Sequence, residues 1–296
     1  MTGWFAQLSL ARKQAVWAWV FLAVPIAYFC LVRFWPALDA VSLSLSRWNL
    51  VGPRHYVGLD NYTRMAADPV FWQVLGNTFL YLLLGLPVSL VLSFVIAYHL
   101  ERVRHGVGLL RALYFLPHLT TATAMAWVWR WFYQPAPIGV LNSWLQALGL
   151  AQQPFLRSTI QALPAVLVPA LWAALGFQIV IFMAGLKAIP RSYYEAAEID
   201  GAGAFRILRE ITLPLLLPSI VFLLITTSIG LLRIFDLVYN MTADGGPLNA
   251  TKPLVLAIYQ NAFARMDMGY ASAQTVVLFV ILLCLSLLQM RLLRAR

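Results

Sequence analysis

Apolar residues in this chain come in long unbroken runs, not in the alternation of strands or the one-sided stripes of soluble helices. Six runs reach or approach the roughly 20 residues that cross a bilayer. They lie at about 15–33, 74–100, 111–133, 160–186, 213–234 and 269–291. The pattern predicts an all-α integral membrane protein with six transmembrane helices. The third run is the shortest and carries Arg130 near one end. Residues 253–264 are also apolar but too short to span, which suits an interfacial or packed helix. Pro87 and Pro117 are expected to kink or locally open the second and third spans. Arg12 and Lys13 precede the first run, but no small-residue cleavage pattern follows it, so it is read as a retained span.

Composition agrees. The chain is 61% hydrophobic and only 11% charged, where soluble domains carry roughly a quarter charged residues. A net charge of +10 fits basic residues flanking spans and facing lipid, and nucleic acid is not an expected partner. Lys and Arg number twelve in the 59 residues of segments 1–15, 101–111, 187–213 and 291–296, against nine in the 100 residues of the alternate segments. This bias predicts both termini in the cytoplasm, with loop 187–212 on the same side. Cys30 and Cys284 are far apart within apolar runs and predict neither a disulfide nor a metal site. His55, His99, His105 and His118 show no metal-ligand spacing. No phosphate-binding loop, nucleophile elbow or HExxH sequence is present, so no catalytic residue and no enzyme activity is expected of this chain.

The stretch between Pro190 and Pro218 is not a simple turn. Ser192 and Glu195 have the spacing of a capping box, and Tyr193, Tyr194, Ala196 and Ala197 continue a helix. Gly201 and Gly203 can end it with positive φ. A second helical run from Ala204 to Leu213 leads into the fifth span. Asp200 is placed to cap that second helix or to pair with Arg206 or Arg209.

Glu195-Ala196-Ala197, Asp200-Gly201-Ala202, Ile211, Pro214 and Pro218 resemble the EAA loop of permease subunits of bacterial ABC importers. The outer segments Val57-Gly58-Leu59-Asp60-Asn61-Tyr62, Gly139-Val140-Leu141-Asn142 and Gly245-Gly246-Pro247 resemble those of the carbohydrate-uptake (maltose and glycerol-phosphate type) permeases. The resemblance implies a single permease domain over 1–296 with the type I ABC importer fold, multi-pass in the bacterial inner membrane. It implies import of a sugar, polyol or glycerol-phosphate-type solute delivered by an extracytoplasmic binding protein. The implied partners are a second homologous permease, the lipid bilayer and a dimer of ATPase subunits. ATP and Mg sit on the ATPase, and no cofactor or metal sits on this chain. Tyr194, Glu195, Ala196, Ala197, Asp200, Gly201 and Ala202 form the implied ATPase-coupling surface, with Glu195 facing a basic residue of the ATPase.

Polar residues inside spans face the interior or a water-filled path. Asn77, Thr121, Gln178, Thr227, Ser228, Arg233 and Asp236 are the candidates for a substrate path, with helix–helix hydrogen bonding as the plainer role for each. Arg233 and Asp236, three residues apart, are also spaced for an ion pair. The aromatic cluster Trp127, Trp129, Trp131, Phe132 and Tyr133 reads as an interfacial belt. Three rival classes remain. An integral-membrane enzyme needs clustered His or carboxylates near one interface, and none is visible in the sequence. An ion-gradient-driven secondary transporter predicts acidic pairs deep in spans, and none is present. A non-transporting assembly factor leaves the EAA loop unused.

Overall fold

The computed structural model describes residues 9–101, 103 and 106–294. The expectation for His105, and the parts of the charge comparison resting on residues 1–8, 102, 104, 295 and 296, lie outside the described residues. The chain is almost wholly helical. Helix α1 runs Leu10–Ser44, with a π-helical turn at Cys30–Phe34. A two-residue antiparallel pair follows, β1 (Ser46–Arg47) and β2 (His55–Tyr56). Then come α2 (Asp60–Ala67), α3 (Pro69–Leu100), α4 (Val107–Leu119), α5 (Ala122–Phe132), α6 (Val140–Ala147) and α7 (Ala162–Ala188). The loop helices are α8 (Arg191–Ile199) and α9 (Ala204–Ile207). The remainder is α10 (Leu213–Leu215), α11 (Leu217–Leu232), α12 (Asp236–Thr242), α13 (Leu254–Tyr259) and α14 (Met268–Arg294).

Among the described residues, five helical stretches are long and apolar enough to cross a membrane: Leu10–Ser44, Pro69–Leu100, Ala162–Ala188, Leu217–Thr242 and Met268–Arg291. The expected third span differs. It is not one helix but α4 and α5, broken at Thr120 and Thr121, both of which take extended backbone. Pro117 cannot donate to the helical ladder and crowds the preceding turn, which weakens the last turn of α4, and the helix ends at Leu119. The Thr121 hydroxyl then accepts from the Ala124 amide at 3.3 Å and starts α5 afresh. Pro87, by contrast, lies inside an unbroken α3.

The chain divides into two compact units, residues 1–65 with 261–276, and residues 66–260 with 277–296. In the first unit α1 buries nothing before Leu43. The polar segment 44–62 is tied by Asn61, which is 2% exposed and donates to the carbonyls of Ser44 and Ser46, both at 2.9 Å. Arg64 pairs with Asp267 at 2.8 Å and stacks on Tyr270. The Asn61-Tyr62 motif is thus a fastening of this unit.

In the second unit α3 and α7 form the spine. Their 32 and 27 residues span about 48 and 40 Å, well over the hydrocarbon thickness. One core cluster centres on Tyr81, Val166, Val238 and Leu256, the other on Ala97, Ile179, Phe182, Leu216 and Leu223. Helix α4 lies close on α7 because residue 176 is glycine: a Cβ there would sit 2.6 Å from the Tyr114 carbonyl oxygen. Helix α13 is too short to span, and its Leu254 and Leu256 are fully buried, so residues 253–264 contain a packed helix.

Candidate functional site

Helix α8 begins two residues earlier than a capping box requires. Its N-cap is Pro190, in extended backbone, with no side-chain cap. Ser192 is therefore already inside the first turn, and Glu195 turns to Arg191 one turn back, at 3.2 Å. The capping-box reading is corrected accordingly. Proline fixes its own φ and presets the entry, so a hydroxyl cap is not needed.

The end of α8 is a Schellman motif. The Ala202 amide donates to the Ala197 carbonyl at 2.9 Å and the Gly201 amide to the Glu198 carbonyl at 3.1 Å. Gly201 takes φ +73, while Gly203 keeps negative φ and caps α9. Asp200 is thus the C-cap of α8 and does not cap α9. Arg206 instead pairs with Glu210 at 2.9 Å. That hydrogen bond, with the field of Asp200 adding to it, holds the Arg206 guanidinium above its ordinary value.

Only Ala197 of α8 is buried. Tyr194 is half-buried, its hydroxyl 3.4 Å from the Thr212 hydroxyl. Glu195, Ala196, Asp200 and Gly201 are exposed and Ala202 is half-buried. Sequence reasoning passed over Ile199 and Phe205, which are 86% and 75% exposed. Their signal was apolar residues flanking a bend that is too short to bury them. Behind the loop lies a cavity of about 740 Å³ lined by Tyr98, Glu101, Lys187, Tyr194 and Glu198 among others.

A second cavity, of about 370 Å³, is walled by α3, α4, α7, α11 and α12. Its polar groups are Ser89, His118, Gln178, Thr226 and Thr227, and no charged carboxylate or lysine lines it. Ser89 donates to Gln178 Oε1 at 2.8 Å, and Gln178 Nε2 donates to Thr227 at 3.0 Å. This buried chain joins three helices. His118, at the end of α4, stacks on Phe177 with ring centroids 5.7 Å apart. Its Nδ1 lies 3.0 Å from the Ala173 carbonyl, which leaves Nε2 for other partners. It was a scattered histidine in the sequence; the helix break beside it was the available signal.

Of the seven path candidates, this cavity collects Gln178 and Thr227 alone. Ser228 faces away and accepts from Gln289 at 2.9 Å. Thr121 caps α5. Asn77 is buried and donates to the carbonyls of Asn249 and Lys252 at 2.7 and 3.0 Å. Beside it Thr78 accepts from the Leu254 amide and Tyr81 donates to the Thr251 carbonyl. Asn77 thus fastens a loop, and it lines a separate cavity. Arg233 and Asp236 are exposed and make no ion pair with each other: the helix ends at Leu232, and Asp236 begins α12.

Spanning-length apolar helices, an interior cavity with hydrogen-bonding groups from three of them, and a structured loop exposing apolar side chains are the parts of a membrane permease. Residues 65–296 match the family described as "Binding-protein-dependent transport system inner membrane component", and the chain belongs to that family. It is 34% identical over 280 residues to the sulfoquinovosyl glycerol transport system permease protein SmoG of Agrobacterium fabrum, covering 94% of this chain and 90% of that one. It is 33% identical to the lactose transport system permease protein LacF of Rhizobium radiobacter, covering 95% of each. It is 31% identical to the sn-glycerol-3-phosphate transport system permease protein UgpA of Agrobacterium fabrum, covering 97% of this chain and 98% of that one. Its fold is that of a chain in the crystal structure of a bacterial ABC transporter involved in import of the acidic polysaccharide alginate. That match has a TM-score of 0.83 at 21% identity over 96% of each chain.

Proposed function

We propose that this chain is one of two permease subunits of an ATP-driven importer. It passes a sugar, polyol or glycerol-phosphate-type solute received from an extracytoplasmic binding protein. The relatives named above, all transport-system permeases for carbohydrate or glycerol-phosphate solutes, support the solute class.

The observation that carries the coupling role is the loop of α8 and α9. A two-residue Schellman bend presents Ile199, Phe205 and Tyr193 to solvent beside the exposed Glu195 and Ala196. Exposed apolar anchors rimmed by charge are the make-up of a docking patch. We assign it to an ATPase subunit that carries ATP and Mg. In this reading Glu195 meets a basic residue of the ATPase, and Ala196 allows close backbone approach. Helices α4 and α5 together make the sixth crossing, both termini lie on the cytoplasmic side with the loop, and the whole chain acts as one permease domain of the bacterial inner membrane. ATP binding moves α8, and the cavity around Gln178 opens alternately to the two sides.

The test is purification of the tagged chain from its native membrane, with its companions identified by mass spectrometry. An ATPase, a second permease and a binding protein are expected, with ATPase activity raised by the solute-loaded binding protein. Recovery of the chain without an ATPase from gentle detergent would overturn the coupling role.

A further inference from the structure

A cavity of about 450 Å³ lies between the end of α5, the 154–157 segment and the 241–247 segment. Arg130 and Arg157 both line it, and no aspartate or glutamate does. Five ion pairs are formed among the described residues, and neither arginine takes part in any of them. Arg130 is half-buried; it donates to the Asn240 carbonyl at 3.2 Å and lies over the Trp127 ring at 4.7 Å. These contacts fix its position and leave its charge uncompensated. Arg157 has no side-chain partner among the described residues. The side-chain amide of Gln134, on the same wall, is likewise unpartnered.

Two guanidinium groups without a carboxylate partner and a free amide thus face one concavity. A cavity with low-dielectric walls focuses their field. Its volume suits a small solute. The backbone on one side is strained, with Ala243 at φ +49 beside the glycine pair 245–246, and such strain is held at ligand sites.

The position of the cavity argues for a solute rather than a lipid headgroup. Leu237 of α12 lines the cavity around Gln178, and Met241, four residues on, lines this one. These two lining residues lie one helical turn, about 6 Å, apart along α12.

We propose that the cavity of Arg130, Gln134 and Arg157 receives the anionic group of a solute, a carboxylate, sulfonate or phosphate. The transported compound is then an anionic carbohydrate or polyol derivative. This rests on the permease reading and narrows its solute class. The guanidinium groups hold the anion, and the neutral polar cavity one turn along α12 takes the hydroxyl-bearing remainder.

The test uses the whole assembly, purified through this chain, in phosphatidylcholine nanodiscs. Sodium glucuronate is titrated into the millimolar range, and the unfolding midpoint is followed by tryptophan fluorescence. Glucuronate is expected to raise the midpoint, while glucose, and sodium chloride at equal ionic strength, leave it unchanged. Arg157→Gln is expected to weaken half-saturation roughly tenfold, the loss of one charge-assisted contact. Gln134→Glu, which sets a carboxylate against the ligand, is expected to abolish the response. Arg47→Gln, in the other unit, should respond as wild type. A chloride response equal to that of glucuronate, or an Arg157→Gln curve matching wild type, overturns the proposal. If phosphatidylglycerol in the discs replaces the glucuronate effect and Arg157→Gln removes that replacement, the site belongs to a headgroup and the solute assignment fails. Stimulation of ATPase activity by the loaded binding protein is measured on the same preparation. A flat titration with stimulation intact sinks the anion site alone; loss of both sinks the permease reading as well.

Discussion

Gly201 offers a clean perturbation of the coupling loop. It sits at φ +73, and a Cβ built on it meets no atom within 4 Å. A substitution there costs backbone conformation and nothing in packing. For a residue with a Cβ the left-handed region costs about 1–2 kcal/mol, and a β-branched residue is worse placed still. If α8 docks the ATPase only when the bend is formed, that cost reduces the competent fraction of the loop. At about 1.4 kcal/mol the affinity for the ATPase falls roughly tenfold. Gly201→Val is expected to show that loss, Gly201→Ala somewhat less, and Gly201→Asn little, because asparagine tolerates the left-handed region. The assay is ATPase binding to the nanodisc-embedded permease by interferometry, beside the thermal midpoint of the spans. The midpoint should stay at the wild-type value, because nothing packs on residue 201. Equal affinities for the valine and asparagine variants would refute the reasoning, as would a valine variant whose spans melt early.

Glu195→Ala removes only an exposed ion pair to Arg191, so the thermal midpoint should not move. ATPase affinity should fall severalfold; unchanged affinity would take Glu195 off the docking surface. Asn77→Ala leaves the buried Lys252 carbonyl without its donor, while the Asn249 carbonyl keeps the Lys252 amide, and should destabilise by about 1–2 kcal/mol. Amide exchange should rise in 248–254 before it rises elsewhere, and uniform exchange would contradict the fastening role. Gln178→Leu cuts the Ser89–Gln178–Thr227 chain, but the two hydroxyls can turn to their own helix carbonyls. The stability change should therefore stay near 1 kcal/mol, while uptake in reconstituted vesicles falls several-fold; normal uptake would remove Gln178 from the solute path.

Five of the six expected spans were legible in the sequence because hydropathy over 20 residues is a local quantity. Helix α13 was legible for the same reason, being apolar but short. Pro117 was read as a kink and is followed by a full break. The extra step is the extended backbone of Thr120 and Thr121, which a proline permits but does not dictate. The bend at Gly201 was readable, since glycine after a helix is the usual carrier of positive φ. The capping box was not borne out because Pro190 fixes the helix start two residues earlier than the Ser192 pattern implies. What sequence could not supply was who meets whom across the chain. Asn77 and Thr78 are polar residues in a span, and the fold spends them on a loop more than 170 residues later. Gln178 and Thr227 carried the same sequence signal and do meet in a cavity. Polar type inside a span thus marks a hydrogen bond to be made, but not its partner.

That difference bears on how the loop is joined to the cavity. Tyr194 reaches Thr212, the fully buried residue where α9 and its π-helical turn give way to α10. Leu216 just beyond is also buried, in the cluster with Ile179 and Phe182 of α7. From there α11 runs to Thr227 and its bond to Gln178. The loop therefore attaches to the cavity wall through packed helix, with no flexible linker between them. A π-turn is a one-residue excess in the ladder and a natural place for a helix to shift register. In the proposed coupling role, a push on α8 would be delivered at Thr212, beside that turn. In the polar chain at Gln178, the bond to Thr227 at 3.0 Å is the one that joins α7 to α11, so a slide of α11 against α7 acts on it. Interior packing resists continuous deformation, so the cavity has reason to change in a step, with the Gln178 chain either made or broken.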